Sequence, residues 1–498
     1  MTDHVSTDAA PHSAPPEIDA ATAARNRLVI TILLVSTFVV ILNETIMSVA
    51  LPRLMDALDA PASAVQWLTT AFLLTMAVVI PVTGFLIQRN NTRPLFMLAM
   101  GLFSLGTLAA ALSPNLEFLI AARVIQALGT AIMMPLLMTT VMTLVPPHRR
   151  GPVMGNISLV ISVAPAIGPA ISGIILEYLT WPWLFWLVLP ISLMVLILGS
   201  RRIANVTTPR YAPLDIISVP ISAIAFGGLV YGLSSFGEPA VGDEGGNMTG
   251  LIAIGLGVVA MAIFVFRQVA LQKRDRALLD LRTFTSKNYA IAVAMMAIFM
   301  MALFGTVILL PIYLQNVLGL STLNTGLMLL PGGIIMGLLG PQVGKLYEKF
   351  GPTALVVPGS VVVSAVLWAM TLLTPETAWI NILIGHIAIS VGLAFIFTPL
   401  FTVSLSSVPP QLYSHGSATL GSIQQVAGAA GVALFIAIMS AVSGGALASG
   451  QAPVAALSEG ITAAFMTGAI LSLLTIVAAT LIRRPPDFGD TAAGPGGH

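Results

Sequence analysis

The chain has 498 residues, of which 57% are hydrophobic and only 8% are Asp, Glu, Lys or Arg, against about 25% charged residues in soluble globular proteins. With a mean hydropathy of +0.96, this excludes a water-soluble enzyme and requires lipid as the solvent for most apolar surface. A net charge of +1 leaves no basic surplus for nucleic acid, and the absence of cysteine excludes disulfides, thiolate metal sites and a Cys nucleophile.

Residues 1–24 are polar, rich in Ala, Pro and Asp, and lack the pattern of a signal peptide, so they are expected to form a disordered cytoplasmic tail. Fourteen apolar runs follow, each near the roughly 20 helical residues needed to cross a bilayer. They lie at about 28–51, 66–87, 94–113, 118–145, 153–176, 183–199, 214–235, 250–270, 289–316, 323–346, 352–374, 378–405, 416–442 and 461–482. Residues 485–498 form a second expected tail. The fold class is therefore an all-α integral membrane protein with 14 transmembrane helices.

Short cytoplasmic loops hold Lys and Arg in excess. With the N-terminus inside, 19 of the 21 basic residues fall on the cytoplasmic side, Arg53 falls outside and Arg123 lies within a span. All six tryptophans then sit near the outer ends of spans, as an aromatic belt would. Both termini are accordingly expected in the cytoplasm, in the cell inner membrane. The basic connection carrying Lys273, Arg274, Arg276, Arg282 and Lys287 either lies along the anionic inner leaflet or only sets topology.

An internal repeat is visible. Pro81, Gly84 and Leu86 recur as Pro341, Gly344 and Leu346 at a shift of 260, and Val145, Pro146 and Pro147 recur as Val408, Pro409 and Pro410 at a shift of 263. Arg123 and Gly129 match His386 and Gly392 at that second shift, as Gly168 matches Gly431. Spans 1–6 thus echo spans 9–14 as a parallel repeat. The expected units are a six-helix bundle over 25–202, two inserted helices and a linker over 203–288, and a second six-helix bundle over 289–484.

Glu44 is the carboxylate clearly inside a span, about 10 Å from the outer end of its helix, and Arg123 lies at a similar depth. An intramembrane charge is a functional-site hypothesis by default; a structural salt bridge or a lipid-interface Glu is the alternative. Histidine titrates near neutrality, so His386 suits proton exchange, or it is a neutral His bonded to a backbone carbonyl. Gln126, Gln424 and Gln425 either contact substrate or make interhelical hydrogen bonds. Ala164, Gly168 and Ser172 recur every four residues and let another helix approach closely, while Pro169 should bend its helix. Most of the 23 Met residues read as core or lipid-facing filler. No catalytic residues, metal site or cofactor is expected: P-loop, metal-ligand and nucleophile-elbow motifs are lacking.

Four segments together resemble the fourteen-helix drug:proton antiporter family of the major facilitator superfamily, over about residues 25–484. Gly84-Phe-Leu-Ile-Gln-Arg-Asn-Asn-Thr-Arg93 resembles the helix 2 to 3 signature GxLaDrxGrk, echoed from Gly344 to Gly351. Arg123-Val-Ile-Gln-Ala-Leu-Gly129 resembles RxxQGxG, and Ala164-Pro-Ala-Ile-Gly-Pro-Ala-Ile-Ser-Gly173 resembles the antiporter signature GxxxGPxxGG. Asn43-Glu-Thr-Ile-Met-Ser-Val-Ala-Leu-Pro52 resembles DxTIVNVALP. The loop Asp is Gln88 here, and the helix 1 Asp is Asn43, with the carboxylate moved one place to Glu44.

This resemblance implies proton-coupled efflux of amphipathic, drug-like compounds by alternating access. Glu44 and His386 become candidates for proton coupling, and Asn43, Arg123, Gln126, Gln424 and Gln425 for the substrate cavity. Ala164, Gly168, Pro169 and Gly173 form the antiporter motif. Gly84, Gln88, Arg89, Arg93, Gly344, Glu348 and Lys349 form the cytoplasmic gate. Expected partners are a small-molecule substrate, protons and the bilayer; the protein is expected to be a monomer, with accessory export proteins left open. The same fold also exports endogenous lipids, peptides or metabolites, and a polytopic lipid-carrier transferase is the alternative from another class.

Overall fold

A computed structural model describes residues 20–60, 62–206, 209, 215–236 and 245–485. Arg210, much of the 236–249 connection and nearly all of both expected tails lie outside the described residues. Among those described, fourteen helices are long and apolar enough to cross a membrane, and none of the rest is strand. They are α1 (Ala20–Leu58), α2 (Ala62–Arg89), α3 (Thr92–Ala111), α4 (Leu116–Leu144), α5 (Arg150–Tyr178), α6 (Trp183–Arg202), α7 (Ser218–Phe236) and α8 (Gly245–Gln272). The second half holds α9 (Lys287–Ile312), α10 (Thr322–Phe350), α11 (Thr353–Met370), α12 (Trp379–Ser406), α13 (Tyr413–Ala448) and α14 (Pro453–Leu481).

Several helices run past the apolar spans, because hydropathy marks only the part that lipid contacts. The Ala-rich start Ala20–Ala24 carries α1 into the stretch expected as tail, since Ala has the highest helix propensity. Polar side chains close other ends. Asn115 accepts from the Phe118 amide at 2.9 Å, and Ser321 from the Asn324 amide at 3.2 Å. Asp215 accepts from the Ser218 amide at 3.1 Å and also takes a two-pronged bond from Arg267 of α8, both distances 2.7 Å. Those hydrogen bonds hold the Asp215 carboxyl below the usual carboxylate range.

The repeat is built into the packing. In the first half α1 packs on α5, α2 on α4, and α3 on α4 and α6; in the second half α9 packs on α13, α10 on α12, and α11 on α12 and α14. Each pair is the other's counterpart eight helices later. Between the two six-helix bundles lie two seams, α5 against α10 and α2 against α13. The inserted hairpin covers the second seam: α7 touches both α2 and α13, and α8 packs on α7. Phe85 of α2, Phe226 of α7, Phe264 of α8 and Ala418 of α13 share one buried cluster there. Met133, Met138, Met142, Met295, Met296 and Met300 are buried, so these methionines fill the core.

Candidate functional site

Both ends of the helical body lie on one face, here the terminal face. It also carries the α2–α3, α4–α5, α10–α11 and α12–α13 connections, given the alternation of the helices. About two turns in from the start of α4 lies a polar group built by α1, α2, α3 and α4. Arg123 is fully buried; its Nη1 donates to Gln126 at 2.9 Å, its Nε to the Leu68 carbonyl at 3.4 Å, and its guanidinium lies 4.1 Å from the Phe72 ring centre. Gln126, one turn along α4, donates onward to Thr107 of α3 at 2.8 Å. Gln126 therefore spends its amide inside the bundle and fixes the guanidinium.

Glu44 is half-buried and feels the Arg123 charge. The ion pairs among the described residues do not include it, so its carboxylate stands near a cation without being locked onto it. Asn43 beside it is buried, with an Nδ2 that has no partner among the described residues.

In the second bundle His386 occupies the repeat position of Arg123. Its Nε2 faces the Leu329 carbonyl of α10 at 3.1 Å, and its Nδ1 is buried without a partner among the described residues. A carbonyl only accepts, so Nε2 carries a proton. A Cβ on Gly332 of α10 would collide with the ring, which explains the glycine. Gln425 reaches Met76 of α2 across the seam, Nε2 to Sδ 3.8 Å, while the half-buried Gln424 has an Nε2 without a partner among the described residues.

On α5 the small residues face α1. Ala164, Gly168 and Ser172 are buried, and a Cβ on Gly168 would overlap Thr45. Pro169 is half-buried, and Gly173 is exposed, with open space where a side chain would go. Gly168 thus has a packing reason that Gly173 lacks.

Toward the terminal face the bundles lock together. Gly344 of α10 and Gly151 of α5 approach so closely that a Cβ on either would overlap the other's carbonyl oxygen. Glu348 accepts from the Gly151 amide at 3.1 Å, so its partner across the seam is the start of α5 rather than a loop cation. The other seam repeats the arrangement: a Cβ on Gly84 would lie 3.2 Å from the Ser414 carbonyl and 3.2 Å from the Ala418 Cβ. Gln88 is half-buried, Arg89 lies 5.7 Å from the Phe85 ring centre, and Arg93 holds Asn205 through its amide at 3.2 Å. Lys349 lies against the Phe350 ring at 5.1 Å. Deeper along the same half, Thr139 meets Ser417 at 2.9 Å and Thr398 donates to Ser158 at 2.8 Å.

Arg150 is the lock that sequence reasoning counted only as a topological charge. Buried at the start of α5, it donates to the Met142 carbonyl at 3.0 Å and the Val145 carbonyl at 3.2 Å. Across to the other bundle it donates to Ser406 at 3.3 Å and to the Tyr413 hydroxyl at 3.1 Å. Among the described residues no carboxylate pairs with it; carbonyls at the end of α4, where the helix dipole is negative, stabilise the cation. The repeat shift of 263, which maps Arg150 onto Tyr413, is the signal that would have found it.

Two bundles in parallel repeat, seams closed at one face and a charge buried within the helices are the arrangement of an alternating-access carrier. The family model described as Major Facilitator Superfamily matches residues 33–432. The chain belongs to the major facilitator superfamily. This transporter is 39% identical over 461 residues to the lincomycin resistance protein LmrB of Listeria monocytogenes, covering 92% of this chain and 96% of that one. It is 37% identical over 458 residues to the Bacillus subtilis protein of that name, covering 91% and 95%. In fold it is similar to the human organic anion transporter MFSD10, with a TM-score of 0.64 at 16% identity over 94% of this chain and 100% of that one. The proton:xylose symporter XylE gives 0.63 at 15%, over 92% and 95%. The chain is a multi-pass membrane transporter, not an enzyme.

Proposed function

We propose that this transporter expels amphipathic, drug-like compounds, lincomycin among them, in exchange for protons. Its termini then lie in the cytoplasm and its terminal face is the cytoplasmic gate. The relatives named for lincomycin resistance support the substrate class, and the gathering of 19 of 21 basic residues on one side supports the orientation. The observation that carries the coupling is Glu44, a half-buried carboxylate close to Arg123 but not paired with it.

In this reading Glu44 exchanges a proton when it faces either side, and a protonated or cationic occupant is released as the bundles rock. Asn43, Gln424 and Gln425 line the cavity, His386 is the second titratable group, and Ala164, Gly168, Pro169 and Gly173 shape the α1–α5 contact. The bundles at 25–202 and 289–484 move against each other around 203–288, within a monomer. One proton falling through about 100 mV supplies roughly 2.3 kcal/mol, enough for about fifty-fold accumulation. The test is lincomycin uptake into inverted vesicles with an imposed pH gradient. Uptake that follows the gradient and collapses with a protonophore supports the reading; gradient-independent equilibration contradicts it.

A further inference from the structure

The connection from α8 to α9 carries a basic cluster that none of these steps uses. Lys273, Arg274 and Arg276 lie within four residues of the end of α8 and are all exposed. None of them joins an ion pair among the described residues. Asp275 in their midst has a left-handed backbone, φ 51°, and pairs with Arg282 at 2.5 Å. Arg282 also binds the buried Asp280. Arg282 thus engages both acids of the loop, while Lys273, Arg274 and Arg276 stand outside any ion pair among the described residues and residues 273–282 keep a net charge of +2.

Their position is that of a headgroup layer. Below them α8 turns Ile263, Phe266 and Val269 outward, Phe266 being 77% exposed, and Lys273 lies four residues, about 6 Å, beyond Val269. The loop is also held in place. Gln268 donates to Ser218 at 2.8 Å and accepts from the Leu278 amide at 2.7 Å, while Leu278 and Leu279 are buried with Phe85 and Ala418. Tyr289 donates to the Gly416 carbonyl at 2.8 Å. Cations fixed above a lipid-facing helix lose little freedom on meeting an anion.

We infer that Lys273, Arg274 and Arg276 form a binding surface for anionic phospholipid headgroups. Charges that only set topology would attract such headgroups no more than other cations on the same face. The test titrates purified full-length protein in neutral micelles with fluorescent phosphatidylglycerol and, separately, phosphatidylcholine. Each cation near an anionic surface contributes about fivefold, so K273Q/R274Q/R276Q should weaken phosphatidylglycerol binding on the order of a hundredfold and leave phosphatidylcholine unchanged. The charge-preserving R274K/R276K variant should bind as the parent does. R25Q/R201Q/R202Q, which removes three exposed cations elsewhere on that face, should change binding little. Equal loss in both triple variants, or a parent protein without preference for phosphatidylglycerol, overturns the inference.

Discussion

Arg150 and Tyr413 occupy equivalent positions in the two repeats, 263 residues apart, and touch each other across the terminal face, Nη2 to Oη 3.1 Å. Equivalent positions meet only on the axis that relates the repeats, so this contact marks where that axis leaves the closed face. Gly151–Gly344 and Gly84–Ser414 flank it as the two symmetry-related seam contacts. The closure is therefore one latch of three contacts around an axis.

The latch should be energetically coupled. A hydrogen bond from a charged donor contributes about 1.5 kcal/mol or more. A double-mutant cycle of Arg150→Ala and Tyr413→Phe on unfolding in detergent should return about 1.5 kcal/mol of coupling. Arg150→Ala should also slow transport more than Tyr413→Phe, because it leaves the Met142 and Val145 carbonyls without their donor. Additive single-variant effects would separate the two residues.

The two seams should differ in tolerance. Gly344→Ala drives a methyl group into the Gly151 carbonyl, whereas Gly84→Ala meets its neighbours at 3.2 Å. Each bundle keeps its own core, so both variants should remain monodisperse on size-exclusion chromatography. Gly344→Ala should lose about tenfold or more in transport, the scale of a misfit costing at least 1.4 kcal/mol, with Gly84→Ala less affected. Equal activities would mean that the α5–α10 seam does not close in the working cycle.

Orientation is open to a direct check because the chain has no cysteine. A cysteine placed at Glu376 should react with an impermeant thiol reagent added to intact cells, and one at Arg201 should not. Labelling at Arg201 would reverse the assignment of the terminal face to the cytoplasm.

The pair between Asp215 and Arg267 ties the inserted hairpin together, with a sign set by its lowered pKa. A depressed carboxyl contributes stability that is fully present above its unfolded value of about 3.9 and is lost as pH falls through the lower folded value. Thermal unfolding of Asp215→Asn should therefore fall short of the parent at pH 7, and the gap should begin to narrow only as pH drops below about 4. A gap that stays constant with pH would show that Asn replaces only the cap on Ser218.

The span count was legible because 20 apolar residues in a row have few other uses. The repeat was legible because Pro and Gly at Pro81, Gly84, Pro146 and Pro147 keep their spacing where backbones must approach or bend. What hid was partner choice. Arg150 follows Arg149 after two prolines and reads as positive-inside charge, since nothing local says that its guanidinium turns inward onto carbonyls. Gln268 ends an apolar run like any interfacial residue, yet it is buried and joins α7, α8 and the loop beyond. The place of α7 across the α2–α13 seam depends on long-range packing that no periodicity encodes. His386 and Gln126 were legible as polar groups in hydrocarbon, but not their partners Leu329 and Thr107.

The account rests on Glu44 as the proton carrier, and Glu44→Gln tests it most directly. The amide keeps the shape of the protonated acid beside Arg123, so the protein should insert and still allow downhill lincomycin movement in inverted vesicles. Uptake driven by an imposed pH gradient should fall to the level seen without a gradient. Gradient-driven uptake at the parental rate would contradict the account.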